Sequence, residues 1–123
     1  MDLLPNDLLY QGWKNHCIVI AQRHFKRTFC HCSDLMDGVL FGIKNFEIMK
    51  NELFNVGTDR GNWSKEELAL FIQKITGCSL YYDDSIYFDT DHRSYLVNYS
   101  KLNTLGFETK ISIENGLKEL LKA

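Results

Sequence analysis

The sequence has few of the features that identify the commoner classes of protein. Its one proline is Pro5, and it has no proline-rich or glycine/serine-rich stretch, so we expect no flexible linker between domains. No apolar run approaches the roughly 20 residues that cross a bilayer. The first residues lack the basic start and apolar stretch of a signal peptide, so we expect a cytoplasmic protein. With a net charge of −2, the chain has no basic excess to attract nucleic acid or anionic lipid.

Cysteine is present, but not in a metal-binding pattern. The chain has four cysteines and four histidines, and no Cys-x-x-Cys pair. Cys30 and Cys32 alternate along a predicted strand, which places both on one face of it, with His31 on the other. A chain of this size with an adequate core and no secretion signal does not need disulfides. We therefore expect free, buried thiols rather than a disulfide framework or a zinc site.

The remaining composition is that of an ordinary globular domain. The 123 residues are 45% hydrophobic and 24% charged, which suits one compact domain over residues 1–123. Apolar spacing and capping residues predict helices over 6–14, 33–46, 64–77 and 99–105, and a last helix from Ser112 onward. Short β-branched or alternating runs predict strands over 17–20, 27–32, 53–56 and 79–82. The alternation of strands and helices predicts an α/β or α+β fold.

Two of the predicted helices carry further information. The helix that opens at Ser33 has an apolar stripe at helical spacing. The stripe consists of Leu35, Val39, Leu40, Ile43 and Phe46. In the next helix, Ser64 and Glu67 have the spacing of a capping box, and Gly77 suits the left-handed position that ends a helix.

Three short motifs invite a functional interpretation, and in each case a structural interpretation is the better one. The loop Gly57–Gly61 lies between a predicted strand and helix, but its spacing matches no phosphate-binding pattern, so we predict a structural turn. Tyr10 and Lys14 have the spacing of the catalytic pair of short-chain dehydrogenases, but without the long nucleotide-binding segment that precedes a true pair. An acidic run misses the calcium-loop spacing and predicts a solvated loop; it comprises Asp83, Asp84, Asp89 and Asp91.

Arg27 and Arg93 are the remaining candidates for a site. Each lies in a short polar context between apolar elements. A guanidinium group binds phosphate oxygens with two parallel hydrogen bonds, each contributing about 1.5–3 kcal/mol. Taken singly, an arginine in such a place more often forms a surface ion pair. The residues alone leave both interpretations open.

An ordered set of segments resembles one known family. Residues 25–34 resemble a segment with arginine, an aromatic residue, and then His-Val-x-Asp at the start of a helix. Residues 54–57 (Phe-Asn-Val-Gly) resemble the Tyr-Asn-Val-Gly strand that follows, and residues 62–67 resemble the start of the next helix. Residues 91–95 (Asp-His-Arg-Ser-Tyr) resemble the segment Asp-x-Arg-x-Tyr.

The C-terminal part completes the set. Residues 101–107 resemble Lys-x-x-x-Leu-Gly-Phe, and residues 112–120 resemble the closing helix Ser-Leu-x-x-Gly-x-x-Glu-Leu. Each segment alone is unspecific, but together they cover nearly the whole chain in order. The chain resembles the C-terminal part of the extended short-chain dehydrogenase/reductases that act on nucleotide sugars as epimerases or dehydratases.

The resemblance implies a partial domain without catalytic residues. Members of that family have an N-terminal Rossmann domain, which binds NAD or NADP and holds the catalytic tyrosine and lysine. Their smaller C-terminal part binds the nucleotide-diphosphate sugar. A chain that resembles only the second part is expected to bind no cofactor itself, because NAD or NADP belongs to a full-length relative. The expected role is in nucleotide-sugar or surface polysaccharide metabolism, with this fragment inactive alone.

The resemblance also assigns site residues. Arg27 and Arg93 correspond to the clamp on the sugar diphosphate, and Tyr95 and Phe25 are expected nearby, where they shape the nucleotide pocket. Residues 1–5 resemble the Asn-Leu-x-Pro stretch beside the diphosphate, which adds Leu3 to the expected site. Asp2 stands where that pattern has asparagine, and a carboxylate is an unsuitable ligand for a phosphate.

Finally, the resemblance implies a partner. In the family, the helix from about Ser33 and the strand ending at Gly57 pack onto the Rossmann sheet, so this chain alone would expose apolar surface. The expected partners are a nucleotide-diphosphate sugar and either a separate Rossmann-domain chain or a second copy. The rival hypothesis is a non-catalytic interaction or oligomerisation module derived from the same fold, with helix 33–46 as its contact surface.

Overall fold

The computed structural model describes residues 3–85 and 93–123. Strands and helices are mixed along these residues, in the order α-β-β-α-α-β-α-β-α-α, with a short 3-10 helix (Asp59–Gly61) before the third strand. The helices are α1 (Leu4–Asn15), α2 (Cys32–Lys44), α3 (Phe46–Met49), α4 (Lys65–Thr76), α5 (Ser100–Asn103) and α6 (Ile113–Lys122). The strands are β1 (Cys17–Ile20), β2 (Lys26–Thr28), β3 (Asn62–Ser64) and β4 (Ser79–Tyr82).

The described strands form two small sheets. β1 pairs in parallel with β4, from Cys17 opposite Ser79 to Ile20 opposite Tyr82. β2 pairs antiparallel with β3, with Arg27 opposite Trp63. Parallel pairing requires a crossover, and α4 provides the last element of the long connection from β1 to β4. The α/β class predicted from the sequence is confirmed.

The hydrophobic core lies where α1 and α4 pack against β1 and against each other, with α6 packed on both helices. Six of its larger buried side chains come from all four elements. They are Leu8, Leu9, Ile18, Leu68, Ile72 and Leu117. Gly12 lets α1 approach closely, since a Cβ there would lie 3.2 Å from side-chain atoms of both Ile18 and Ile72. The core therefore fixes α4, and with it the end of β3 that leads into α4.

Local capping signals were read correctly from the sequence. The Ser64 hydroxyl accepts a hydrogen bond from the Glu67 amide at 3.1 Å, and the Glu67 carboxylate accepts one from the Ser64 amide at 2.6 Å. Gly77 ends α4 with a φ of +73°. Ser112 caps α6 by accepting from the Asn115 amide at 3.2 Å. These contacts satisfy amides that the first turn of a helix leaves unpaired.

The predicted strand over 27–32 is too long. β2 ends at Thr28, and α2 begins at Cys32 with His31 as its cap, whose Nδ1 accepts from the Ser33 amide at 3.2 Å. Because a helix cap replaces the second half of the strand, Cys30 and Cys32 do not share a strand face. Both thiols are exposed and only Cys78 is buried, so the expectation of buried thiols is wrong for this pair.

The predicted strand over 53–56 has no β-ladder in the structure. Leu53 is 90% exposed, whereas Val56 packs against α2, where a Cβ on Gly38 would come within 2.4 Å of it. A β-branched run becomes a strand only when another segment pairs with it. None of the strands in residues 3–85 and 93–123 is paired with this segment.

The apolar stripe of α2 faces solvent. Its predicted members are all exposed, by 48% to 66%. They are Leu35, Val39, Leu40, Ile43 and Phe46, with Met36 beside them at 58%. The buried residues of α2 are Asp34 and Gly38 instead. We call these six exposed side chains the α2 apolar face. None of the helices in the described ranges is both long enough and apolar enough to span a bilayer.

Asp34 determines which side of α2 faces inward. Its side chain is 2% exposed, and its two carboxylate oxygens accept hydrogen bonds from the Lys110 amide at 2.8 Å and the Ile111 amide at 3.0 Å. Charged acceptors of this kind make stronger bonds than neutral ones. The carboxylate therefore ties α2 to the chain that leads into α6.

Replacement of Asp34 by asparagine is expected to lower the free energy of unfolding by about 2 kcal/mol or more. The amide cannot accept from both backbone N–H groups, and leaving a buried donor unpaired costs about 1–3 kcal/mol. The matched control is Asp37→Asn, on the same helix, which removes only the ion pair between Asp37 and the exposed Lys110 ammonium at 2.6 Å. That surface pair is worth about 1 kcal/mol at most. Urea unfolding of both variants measures the difference, and equal losses would contradict the assignment.

Candidate functional site

The candidate site is built on β2, which makes hydrogen bonds on both of its edges. One edge pairs with β3. On the other edge, the Lys26 amide donates to the Ser94 hydroxyl at 3.0 Å, and the Lys26 carbonyl accepts from the Tyr95 amide at 3.3 Å. Backbone groups of successive strand residues point to opposite edges, so Lys26 faces the 94–95 segment while its neighbours face β3. Two segments distant in sequence thus lie side by side.

This arrangement brings Arg27 and Tyr95 together. The guanidinium carbon of Arg27 lies 5.5 Å from the centroid of the Tyr95 ring, within the range of a cation–π contact. The same guanidinium donates from Nη1 to the Lys26 carbonyl at 3.1 Å. The Arg27 side chain is half-buried, and these two contacts restrict it. An ordered guanidinium loses less conformational entropy when it binds a ligand.

Arg93 immediately precedes this contact region. It is exposed, and it is bonded directly to Ser94, whose hydroxyl touches the Lys26 amide. Arg27 is likewise bonded directly to Lys26. The structure therefore puts the backbones of both predicted clamp residues next to one pair of contacting residues. The role of the two arginines as ligands of a phosphate stays a prediction.

Phe25 and Leu3 lie in different surroundings. Phe25 directly precedes β2; its carbonyl accepts from the Lys65 amide at 3.0 Å, and the Lys65 ammonium lies 5.9 Å from its ring centroid. Phe25 thus adjoins a further cation on the β3 side of β2. Leu3 is 66% exposed at the start of α1, where its carbonyl accepts from the Asp7 amide at 2.9 Å. The helix α1 packs mainly on β1, α4 and α6, and these contacts do not place Leu3 beside β2. The contact between Leu3 and the ligand stays a prediction.

Tyr99 is a buried residue of this region that sequence reasoning missed. It is 3% exposed, and its hydroxyl is hydrogen-bonded to the Thr28 hydroxyl at the end of β2. Its amide donates to the Asp59 carboxylate at 3.3 Å. Burial raises the pKa of the Tyr99 phenol, which keeps it protonated. Since Thr28 and Tyr99 are 71 positions apart, no local pattern identifies the pair.

The loop Gly57–Gly61 forms a structural turn around Tyr99. Gly57 has a φ of +154°, and a Cβ there would lie 2.6 Å from the Tyr99 ring. At Gly61 a Cβ would lie 2.3 Å from the carbonyl oxygen of Phe29. Both glycines are needed for close packing against protein atoms. A phosphate loop instead leaves its glycine side open to the ligand.

The described residues of the other two motifs are exposed or partly exposed. The Lys14 ammonium donates to the Tyr10 hydroxyl at 2.6 Å on the exposed side of α1. The acidic run is only partly described: the Asp84 carboxylate accepts from the Gln22 amide at 2.8 Å, and Asp83 accepts from the Ser85 amide at 2.8 Å. Asp89 and Asp91 lie outside the described residues. No group of three or more His, Cys, Asp or Glu side chains is arranged to hold a metal ion within residues 3–85 and 93–123.

Comparison with known proteins identifies the fold. No known protein-family profile matches the chain. Among solved structures, it resembles a GDP-mannoheptose C4 reductase from Campylobacter jejuni with NADP bound, at 26% identity and a TM-score of 0.70, over 86% of this chain and 31% of the other. It also resembles a GDP-D-glycero-L-gluco-heptose synthase from the same organism, at 25% identity and a TM-score of 0.69, over 92% of this chain and 35% of the other.

A third solved structure is more distant in sequence but equally similar in fold. It is a UDP-glucose 4-epimerase from Thermotoga maritima with UDP-glucose, at 23% identity and a TM-score of 0.75, over 98% of this chain and 38% of the other. The chain spans about a third of the length of the structures that it matches.

The chain has the fold of one part of an extended short-chain dehydrogenase/reductase. The partial coverage agrees with the C-terminal part that the sequence resembles. The solved structures that it resembles include reductases and epimerases of nucleotide sugars.

Replacement of Gly61 by alanine is expected to destabilise the fold by about 2–3 kcal/mol, because the added methyl group would overlap the rigid backbone of Phe29 and push β2 and β3 apart. The matched control is Gly42→Ala on α2, where the nearest atom to a Cβ is the flexible end of Met49 at 3.8 Å. Alanine favours a helix over glycine by about 1 kcal/mol, so this control should be neutral or stabilising. Thermal melting of both variants distinguishes them, and a Gly61→Ala variant as stable as the wild type would refute the close approach.

Proposed function

We propose that this chain is the nucleotide-sugar-binding part of an NAD-dependent epimerase, dehydratase or reductase, and that Arg27 and Arg93 hold the diphosphate of the substrate. The observation that carries the proposal is the contact of Lys26 with Ser94 and Tyr95, across 68 positions of sequence. Arg27 follows Lys26 directly and Arg93 precedes Ser94 directly, so the contact joins the two segments that carry the arginines. The other proposed contacts are Tyr95, Phe25 and Leu3.

The proposed mechanism is electrostatic binding and orientation. A diphosphate carries negative charge on several oxygens, and a guanidinium fork binds such oxygens in pairs. Arg27 is held between the Tyr95 ring and the Lys26 carbonyl, so its planar group is already restricted before the ligand arrives. Two cations on separate segments would fix the orientation of the diphosphate as well as its position. The sugar would then be presented at a constant place for the chemistry.

The chain is not proposed to bind NAD or NADP itself. A dinucleotide needs a glycine turn whose open side admits the pyrophosphate. In the loop Gly57–Gly61 the two glycines face the Tyr99 ring and the Phe29 carbonyl, so the space that a pyrophosphate would need is filled by protein. Hydride transfer is therefore assigned to a nucleotide-binding domain, in the same polypeptide or in another, and this chain's residues bind and orient the sugar.

The α2 apolar face is the proposed docking surface for that domain. Its six side chains are about half or more exposed, and Leu53, which lies beyond α3, is 90% exposed. Five of the six lie on α2 and Phe46 begins α3, and a continuous exposed apolar surface of this kind is characteristic of an interface. The buried Asp34 on the opposite side of α2 fixes the orientation in which the face is presented. A Rossmann domain is the proposed occupant, and a second copy of the chain is the alternative.

Replacement of Arg27 or of Arg93 by alanine is expected to weaken the binding of UDP or GDP about tenfold or more, since each removes a charge-assisted contact. Isothermal titration calorimetry with both nucleotides measures the effect. Lys118→Ala, which removes an exposed cation from α6, is the matched control for net charge and should leave the affinity unchanged. Titration curves of both arginine variants that overlay the wild-type curve would reject the clamp.

Replacement of Ile43 by aspartate is expected to abolish association through the α2 apolar face, because it puts a charge on a surface that is 66% exposed in the free chain and would be buried in the complex. Sedimentation velocity of the chain alone, and with a purified Rossmann domain of a nucleotide-sugar epimerase, measures association. Leu70→Asp, at a site 47% exposed on α4, is the control.

Sedimentation with and without a nucleotide sugar, together with calorimetry, separates the two functional hypotheses. Binding of a nucleotide sugar with measurable heat supports the substrate-binding role. Assembly that is indifferent to nucleotide sugars, with no heat of binding, would instead favour a module that only mediates protein contacts. Association unaffected by Ile43→Asp would contradict the use of this face.

A further inference from the structure

The segment 93–99 carries two proposed ligand-binding residues but has no regular secondary structure. Such a segment is ordered only if its backbone groups find partners elsewhere. At its start, Ser94 and Tyr95 bond to Lys26. At its end, the Tyr99 hydroxyl bonds to Thr28. The middle of the segment needs a separate partner.

Asn62 provides that partner. Its side-chain Nδ2 donates to the Val97 carbonyl at 2.9 Å, and its Oδ1 accepts from the Val97 amide at 3.0 Å. The pair of bonds is partly buried, and it joins residues 35 positions apart. By contrast, Asn55 makes one exposed bond to the same segment, from Nδ2 to the Asn98 carbonyl at 3.1 Å. The Asn62 amide satisfies both backbone groups of one residue, as a neighbouring strand would.

The position of Asn62 explains why it can act on the site. It is the first residue of β3 and lies opposite Thr28 in the β2–β3 pair. The backbone of β3 is held by its pairing with β2 and by the capping box at Ser64. Asn62 therefore reaches from a fixed strand to the segment that bears Arg93 and Tyr95. The contacts of Lys26 and of Asn62 thus fix that segment at two points, one on β2 and one on β3.

We propose that Asn62 is a positioning residue for the diphosphate site: its amide holds the 93–97 segment so that Arg93 and Tyr95 lie beside Arg27. This inference rests on the proposed function. A segment that is held in place before binding loses less entropy when the ligand arrives, so the clamp contributes to affinity without touching the ligand. Asparagine is suited to this role because one planar group offers both a donor and an acceptor.

The test is a double-mutant cycle on UDP and GDP affinity. Asn62→Ala removes both bonds, and Asn62→Asp keeps the shape of the side chain but removes the donor to the Val97 carbonyl. Each is expected to weaken binding about tenfold in the wild-type background. The same substitutions made together with Arg93→Ala should weaken binding by less than about twofold further, because residues that act through one another are not additive. Asn115→Ala and Asn115→Asp, at an exposed site on α6, are the matched controls.

A merely structural role for Asn62 would give a different result. It would lower the affinity by the same factor in both backgrounds, and such additivity overturns the proposal. Circular dichroism at the titration temperature shows which variants are folded. If Asn62→Ala is unfolded, Asn62→Asp replaces it in the double-mutant cycle. Wild-type-like affinity of a folded Asn62 variant also overturns it.

A measurement without ligand keeps this inference distinct from the proposed function. Hydrogen exchange of the Val97 amide, followed by NMR, should be slow in the wild type and faster by about tenfold or more in Asn62→Ala, with no change in Asn115→Ala. If the wild type binds neither UDP nor GDP, the proposed function fails and the positioning role falls with it, even where exchange shows the bond. If the wild type binds UDP or GDP but the Asn62 and Arg93 substitutions lower the affinity additively, the positioning role fails and the proposed function stands.

Discussion

The candidate site depends on the free edge of a three-residue strand. β2 is paired with β3 on one side, and its other side offers the amide and carbonyl of Lys26 to the segment that begins after Arg93. Those two bonds, and the two that Asn62 makes with Val97, hold the 94–97 part of the segment beside β2. A hydrogen bond of this kind contributes only about 0.5–1.5 kcal/mol, but several of them along one segment select a single arrangement. The core formed by α1, α4 and α6 matters to the site because it holds β3 through the start of α4.

A second constraint acts on the helix α2. Helices commonly bury their apolar stripe, yet here the buried residue is Asp34, with two backbone amides on its carboxylate. The α2 apolar face is consequently presented to solvent. This chain covers 31% to 38% of the length of the comparison structures. Binding of a sugar diphosphate at β2 and docking through α2 are thus separate proposals that rest on separate elements.

The sequence allowed prediction of those features that short-range physics decides. The capping box at Ser64, the left-handed Gly77 and the strands at 17–20 and 79–82 were predicted, because each depends on neighbouring residues or on a compact apolar run. The parallel pairing of those two strands was not predicted, because it joins segments far apart in the sequence. The strand over 27–32 was predicted too long, since His31 acts as a helix cap, which a pattern of alternation does not reveal. The run 53–56 was predicted to be a strand although strand formation needs a partner segment. Arg27 and Arg93 came from resemblance to a family, whereas Asn62 and Tyr99 depend on contacts across 35 and 71 positions and left no local signal.

The proposed site binds one diphosphate where β2 meets the 93–97 segment. The most direct measurement is an NMR titration of the isotope-labelled chain with UDP and GDP, which maps the shifted amide signals onto the structure. We expect saturable shifts of the amide signals that are largest at residues 26–28 and 93–97. Shifts confined to another surface, such as the open groove lined by Trp63, Leu70 and Phe71, or no shifts at all, would contradict it.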